Sequence, residues 1–106
     1  MRPFLKEKLK KFTSAKINGV EPNWSLKLFE TYILLTPNMG EAEIRFEIKG
    51  IWEAPKGLMI LAENNNSSIN LNITEETCSD GMSDNSYPLK VRVVLGNKVL
   101  NGCGRY

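Results

Sequence analysis

The stretch Glu41-Ala42-Glu43-Ile44-Arg45-Phe46-Glu47-Ile48 decides the fold. Ala42, Ile44, Phe46 and Ile48 alternate with Glu41, Glu43, Arg45 and Glu47. Successive side chains of a strand point to opposite faces, so this order makes one apolar face and one charged face. A helix would wind the same charges around its whole circumference and leave no face to bury. The segment is therefore a half-buried strand.

The same period of two extends in both directions. Trp24, Leu26 and Leu28 alternate with Ser25, Lys27 and Phe29. Ile69, Leu71 and Ile73 alternate with Asn70, Asn72 and Thr74, and Leu89, Val91, Val93 and Leu95 with Lys90, Arg92 and Val94. Turn formers divide the runs: Asn18-Gly19, Pro37 to Gly40, Pro55-Lys56-Gly57, the tract Asn64 to Ser68, and Ser79 to Pro88. Gly96-Asn97 reads as a two-residue hairpin turn, because glycine reaches positive φ at little cost. The spacing predicts about eight strands, near 13–18, 23–29, 31–36, 42–48, 57–63, 68–75, 89–95 and 98–103. So many short strands in 106 residues favour an all-β fold, a small antiparallel β-barrel or strongly curled meander, since closure removes exposed edges. A two-sheet β-sandwich is the alternative. Trp52, after Ile51 at a strand end, is expected in the core or covering a barrel end.

Residues 1–12 differ. MRPFLKEKLKKF is rich in helix formers, and Leu5, Leu9 and Phe12 fall on one helical face with the lysines opposite. The expectation is a basic leader, helical or disordered and solvated, ahead of a single β domain at 13–106. A helix docking on a membrane surface or on a partner is the sharper alternative. Residues 1–16 hold six basic residues against Glu7 alone, leaving eight basic and eleven acidic groups in the rest. The folded body is mildly acidic, which argues against a nucleic-acid partner.

The chain has no histidine, which removes Ser-His-Asp and Cys-His chemistry and the commonest zinc ligand. The remaining candidates for catalysis are carboxylates: Glu21, Glu75, Glu76, Asp80 and Asp84. No spacing pairs them as glycoside hydrolysis requires. The expectation is a protein that is not an enzyme and carries neither cofactor nor metal. Asp80, Ser83, Asp84 and Asn85 offer oxygen ligands, yet the spacing fails a calcium loop; a turn held by its own Asp and Ser side chains is the simpler reading. Pro22 holds Glu21 extended ahead of Trp24. Trp24 reads first as a core residue, and second as part of a pocket with Glu21.

Two cysteines, Cys78 and Cys103, lie 25 positions apart. If the strands carrying them are close, a disulfide closes a loop for which chain entropy assigns about 3.5 kcal/mol. Two buried free thiols, or a redox or metal pair, are the other readings. A structural disulfide implies an oxidising compartment. No apolar signal-peptide core follows the basic residues, so the alternatives are a cytoplasmic form or a precursor trimmed of its leader.

The residues also carry a resemblance. Gly19-x-Glu21-Pro22-x-Trp24-Ser25, then Cys78-x-Asp80-Gly81-Met82-Ser83-Asp84-x-x-Tyr87-Pro88, then Gly102-Cys103 are similar to the motifs of a family of small bacterial envelope proteins, lipoprotein-like or membrane-associated. The match spans residues 17–104. The resemblance implies an exported, disulfide-bonded domain in the periplasm or cell envelope and supplies no reaction. Asn23 replaces an aromatic residue usual in that family, and the lysine-rich 1–11 replaces its leader.

Together these readings point to a disulfide-stabilised binding or structural module. Its candidate ligand-binding residues are Glu21, Trp24, Asp80, Ser83, Asp84 and Tyr87. The partner is a small ligand or an envelope protein. Membrane association is expected only through a leader or residues 1–12. The alternative is an inhibitor of a cell-wall hydrolase, with the acidic loop engaging a basic enzyme, and after it a carboxylate-based hydrolase.

Overall fold

Alternation along each strand becomes inside and outside once the sheet closes. The computed structural model describes residues 3–20, 23–79 and 85–106. A helix α1 (Pro3–Thr13) precedes β1 (Lys16–Val20), β2 (Asn23–Leu28), β3 (Tyr32–Thr36), β4 (Ile44–Ala54), β5 (Gly57–Glu63) and β6 (Ser68–Thr74). Two short strands follow, β7 (Cys78–Ser79) and β8 (Ser86–Tyr87), then β9 (Leu89–Leu95) and β10 (Lys98–Arg105). Chain neighbours pair antiparallel from β1 to β6, β6 pairs with β9, β9 with β10, and β10 returns to β1. The result is a closed eight-stranded up-and-down barrel, with β7 and β8 forming a separate ribbon inserted between β6 and β9.

An eight-stranded barrel is just wide enough for its own side chains to fill. Ile33, Leu35, Phe46, Ile60 and Leu71 are fully buried there, each from an alternating inward position. Leu95 pairs with Lys98 across Gly96-Asn97, and Gly96 sits at φ 61°, the left-handed value that hairpin turn needs.

Two differences from the sequence reading have physical causes. β4 runs on to Ala54, and the register slips between Ile48 and Gly50. The extra residue, Lys49, is a β-bulge, and it reverses which side chains face in. Ile51 then points inward and Trp52 outward, lying against Gly50 on the outer wall with 48% of its surface exposed. The expected core position for Trp52 is thereby overturned.

The helix is the second difference. Its basic face is in water, but Leu5, Leu9 and Phe12 join the same core cluster as the barrel side chains. Eleven residues are too few for a stable helix in isolation. Burying three large side chains, at about 1.5–3 kcal/mol each, supplies what propensity does not. The helix therefore closes one end of the barrel, where a freely solvated leader was expected. Lys8, Lys10 and Lys11 reach Glu53, Glu30 and Glu75 on that rim, at 3.9, 3.9 and 2.8 Å. Screened by water, these pairs add little stability and chiefly orient the helix. Thr13 and Ser14 hydroxyls donate to the carbonyls of Lys10 and Lys11, satisfying groups that a helix end leaves open. Tyr106 stacks on Phe12 with ring centroids 6.4 Å apart, so the C-terminus covers the helix as the helix covers the barrel.

Candidate functional site

Cys78 begins β7, and Cys103 lies near the end of β10. They form a disulfide with a Cα–Cα distance of 5.7 Å, and no free cysteine remains among the described residues. Cys103 faces outward, since the inward positions of β10 are Leu100, Gly102 and Gly104. The bond therefore hauls the β7–β8 ribbon across the outside of the barrel. Cys78 pairs with Tyr87 in that ribbon, which places the tyrosine beside the disulfide.

The ribbon leaves a cavity of about 520 Å³ along the seam where β1 and β10 close the barrel. Lys16, Asn18, Asn101 and Arg105 line its floor, while Ser79 and Tyr87 come from the ribbon. Volumes of roughly 300–1,000 Å³ are those of small-molecule sites. The outward rungs of the seam are fixed by register. Asn18 is opposite Cys103, and Cys103 is opposite Lys90. On the next rung Lys16 is opposite Arg105. Three cations thus border the cavity, and no carboxylate is among its described lining residues.

Of the candidate residues from the sequence, Tyr87 alone lies in this groove as described. Trp24 is elsewhere. It points into the barrel, is 2% exposed, and its indole N–H donates to the Asn101 carbonyl at 3.2 Å. The ring lies against Gly19 and Gly102, where a Cβ would come within 2.7 Å of it. Those two glycines are small because the tryptophan occupies their space. One edge of Trp24 borders a second cavity of about 360 Å³ with Asn23, Thr36 and Met39, at the barrel end away from the helix. Trp24 and Tyr87 are therefore on opposite sides of β10. Glu21, Asp80, Ser83 and Asp84 lie outside the described residues. Sequence reasoning missed Lys16, Asn18, Asn101 and Arg105. Outward polar residues on strands are common, and only closure of the first strand on the last brings these together.

The described carboxylates are spread over the surface. Glu75 pairs with Lys11 and Glu76 with Lys90, at 2.8 and 3.7 Å. Among the described residues two groups have shifted titration, both at the helix-covered end. The hydrogen bond to Glu75 holds the Lys11 ammonium above its ordinary value. Burial raises the Tyr106 phenol above its own. Among the described residues no cluster of three potential metal ligands occurs, and no helix is long and apolar enough to cross a membrane.

Comparison with family models, with curated proteins and with solved structures found no match. The class is thus defined by architecture: an up-and-down barrel, plugged by its own N-terminal helix and carrying a disulfide-tethered ribbon over its closing seam.

Proposed function

We propose that this protein is a non-catalytic binding module of the cell envelope, and that the groove beneath the β7–β8 ribbon is its ligand site. One observation carries the reading: a cross-link fixes a ribbon over the seam and holds a cavity of about 520 Å³ open beside it. The barrel interior is filled by side chains, so a ligand has to be taken on the outside. The absence of histidine and the dispersed, partly ion-paired carboxylates support a role without catalysis. The disulfide favours an oxidising compartment, and the motif resemblance points to the periplasm or envelope. The ligand is a small molecule or a short segment of an envelope protein.

Titration of ¹⁵N-labelled protein with a small-molecule library tests the site. Amide shifts are expected to cluster on Asn18, Tyr87, Asn101 and Gly102. Hits confined to the outer wall around Trp52, or none at millimolar ligand, would remove the groove from consideration. Calorimetry against lysozyme addresses the inhibitor alternative; heat at micromolar protein would favour it over small-ligand binding.

A further inference from the structure

We propose that the groove selects an organic oxyanion, a phosphate or carboxylate, held between Lys16 and Arg105 with its body against Tyr87. This rests on the groove being the ligand site and adds the chemistry of what enters it.

The argument begins with register. Lys16 and Arg105 are directly opposite on adjacent antiparallel strands and face the same way. Side chains so placed have Cβ atoms only about 4.5–5.5 Å apart, and like charges there repel. A second rung of like charge, Glu47 opposite Glu63, differs in being relieved from within the barrel, because Arg45 pairs with Glu47 at 2.9 Å. Neither Lys16 nor Arg105 takes part in any of the ion pairs among the described residues. Lys90 adds a third cation one rung along, opposite Cys103. Its own partner, Glu76, is at 3.7 Å on an exposed edge, a contact weak enough for the ammonium to turn into the groove.

The surroundings make the cluster unusual. Counted from Lys16, where the barrel begins, residues 16–106 hold nine basic and eleven acidic groups. A concentration of positive charge on that slightly acidic body comes from local placement. An anion between Lys16 and Arg105 turns a repulsive rung into two charge-assisted contacts. Arginine's planar fork matches the two oxygens of a carboxylate or phosphate, whereas lysine supplies a point charge. The neutral part of the groove fits the rest of a ligand. Asn18 and Asn101 offer amide groups, and Tyr87 is a half-buried aromatic wall beside the disulfide. The cavity is larger than a bare ion requires, so an organic anion uses it better than inorganic phosphate.

The test compares benzoate with benzamide, its neutral isostere, and phenyl phosphate with inorganic phosphate, each titrated into the whole ¹⁵N-labelled protein. Benzoate is expected to bind at least tenfold more tightly than benzamide. Phenyl phosphate is expected to exceed inorganic phosphate, with the shared amide shifts on Lys16, Asn18 and Arg105. Whichever of benzoate and phenyl phosphate binds more tightly identifies the headgroup. Lys16→Gln and Arg105→Gln should each weaken the anions about tenfold and leave benzamide unchanged. Neither variant should melt at a lower temperature than the parent without ligand, because each removes repulsion. That separates loss of binding from loss of folding. Equal affinity for benzoate and benzamide at the same amides would overturn the anion and keep the groove as the site. Absence of shifts there with every probe would overturn both.

Discussion

Removing the Cys78–Cys103 bond measures what the cross-link contributes to stability. The bond closes a loop of 25 residues. Restricting such a loop in the unfolded chain is worth about 12 cal/mol/K, or about 3.5 kcal/mol at 25 °C, in the chain-entropy account. Domains of this size are stable by only about 5–15 kcal/mol, so the cross-link is a quarter or more of the total. With an unfolding entropy of about 2.1 cal/mol/K per residue, the loss lowers Tm by about 16 °C. Two proteins should be melted by calorimetry: Cys78→Ala/Cys103→Ala, and the native chain held reduced. Both cysteines are under 10% exposed, so the alanine variant also loses some packing, and the reduced native chain isolates the cross-link. Urea unfolding of the same samples should show a larger m-value without the bond, because the unfolded chain expands. Amide exchange at Cys78, Ser79, Ser86 and Tyr87 should accelerate more than in β5 or β6, since the bond ties the ribbon to β10. A reduced chain within about 1 kcal/mol of the oxidised one would refute the entropic reasoning. An unchanged ribbon exchange rate would refute its role in holding the groove.

Phe12→Ala should cost about 3–5 kcal/mol, read by urea unfolding, because the ring is fully buried between helix and barrel; a cost near zero would show the helix detached in solution. Gly102→Ala should destabilise by about 1–3 kcal/mol, because its methyl group meets the Trp24 ring and the Asn18 carbonyl. Trp24→Phe in that background should recover part of the loss. Lys11 and Tyr106 both hold their protons more tightly when folded than at their ordinary values of 10.5 and 10.0. The unfolded chain therefore releases these protons first, and their contribution, complete below pH 10.0, falls as the pH rises further. Thermal melts from pH 9 upward should show a shallower decline in Lys11→Met/Tyr106→Phe than in the parent.

Much of the fold is legible in the residues taken one strand at a time. Alternation is a local property, so Ala42 to Ile48 or Leu89 to Leu95 declares a strand without knowledge of its neighbours. Gly96 likewise declares its turn. The eight expected strands all exist, and the two cysteines are joined. What alternation does not contain is where a bulge will fall. Lys49 interrupts β4 and sends Trp52 outward, and Gly50 beside it is a local sign of an irregular strand that does not say which side chains will face in. Nor does an amphipathic helix state what covers its apolar stripe. Leu5, Leu9 and Phe12 look the same whether the cover is a membrane, a partner or the open end of a barrel.

The order of residues was thus sufficient for the eight barrel strands, for their inward faces up to the Lys49 bulge, and for the identity of the cross-link, but not for the β7–β8 ribbon. The three-dimensional arrangement alone brought Lys16 against Arg105, eighty-nine positions away, and laid the ribbon over that junction. Which residue meets which at the closing seam depends on the registers accumulated around the whole barrel. That quantity belongs to every pairing together and is written in no single segment.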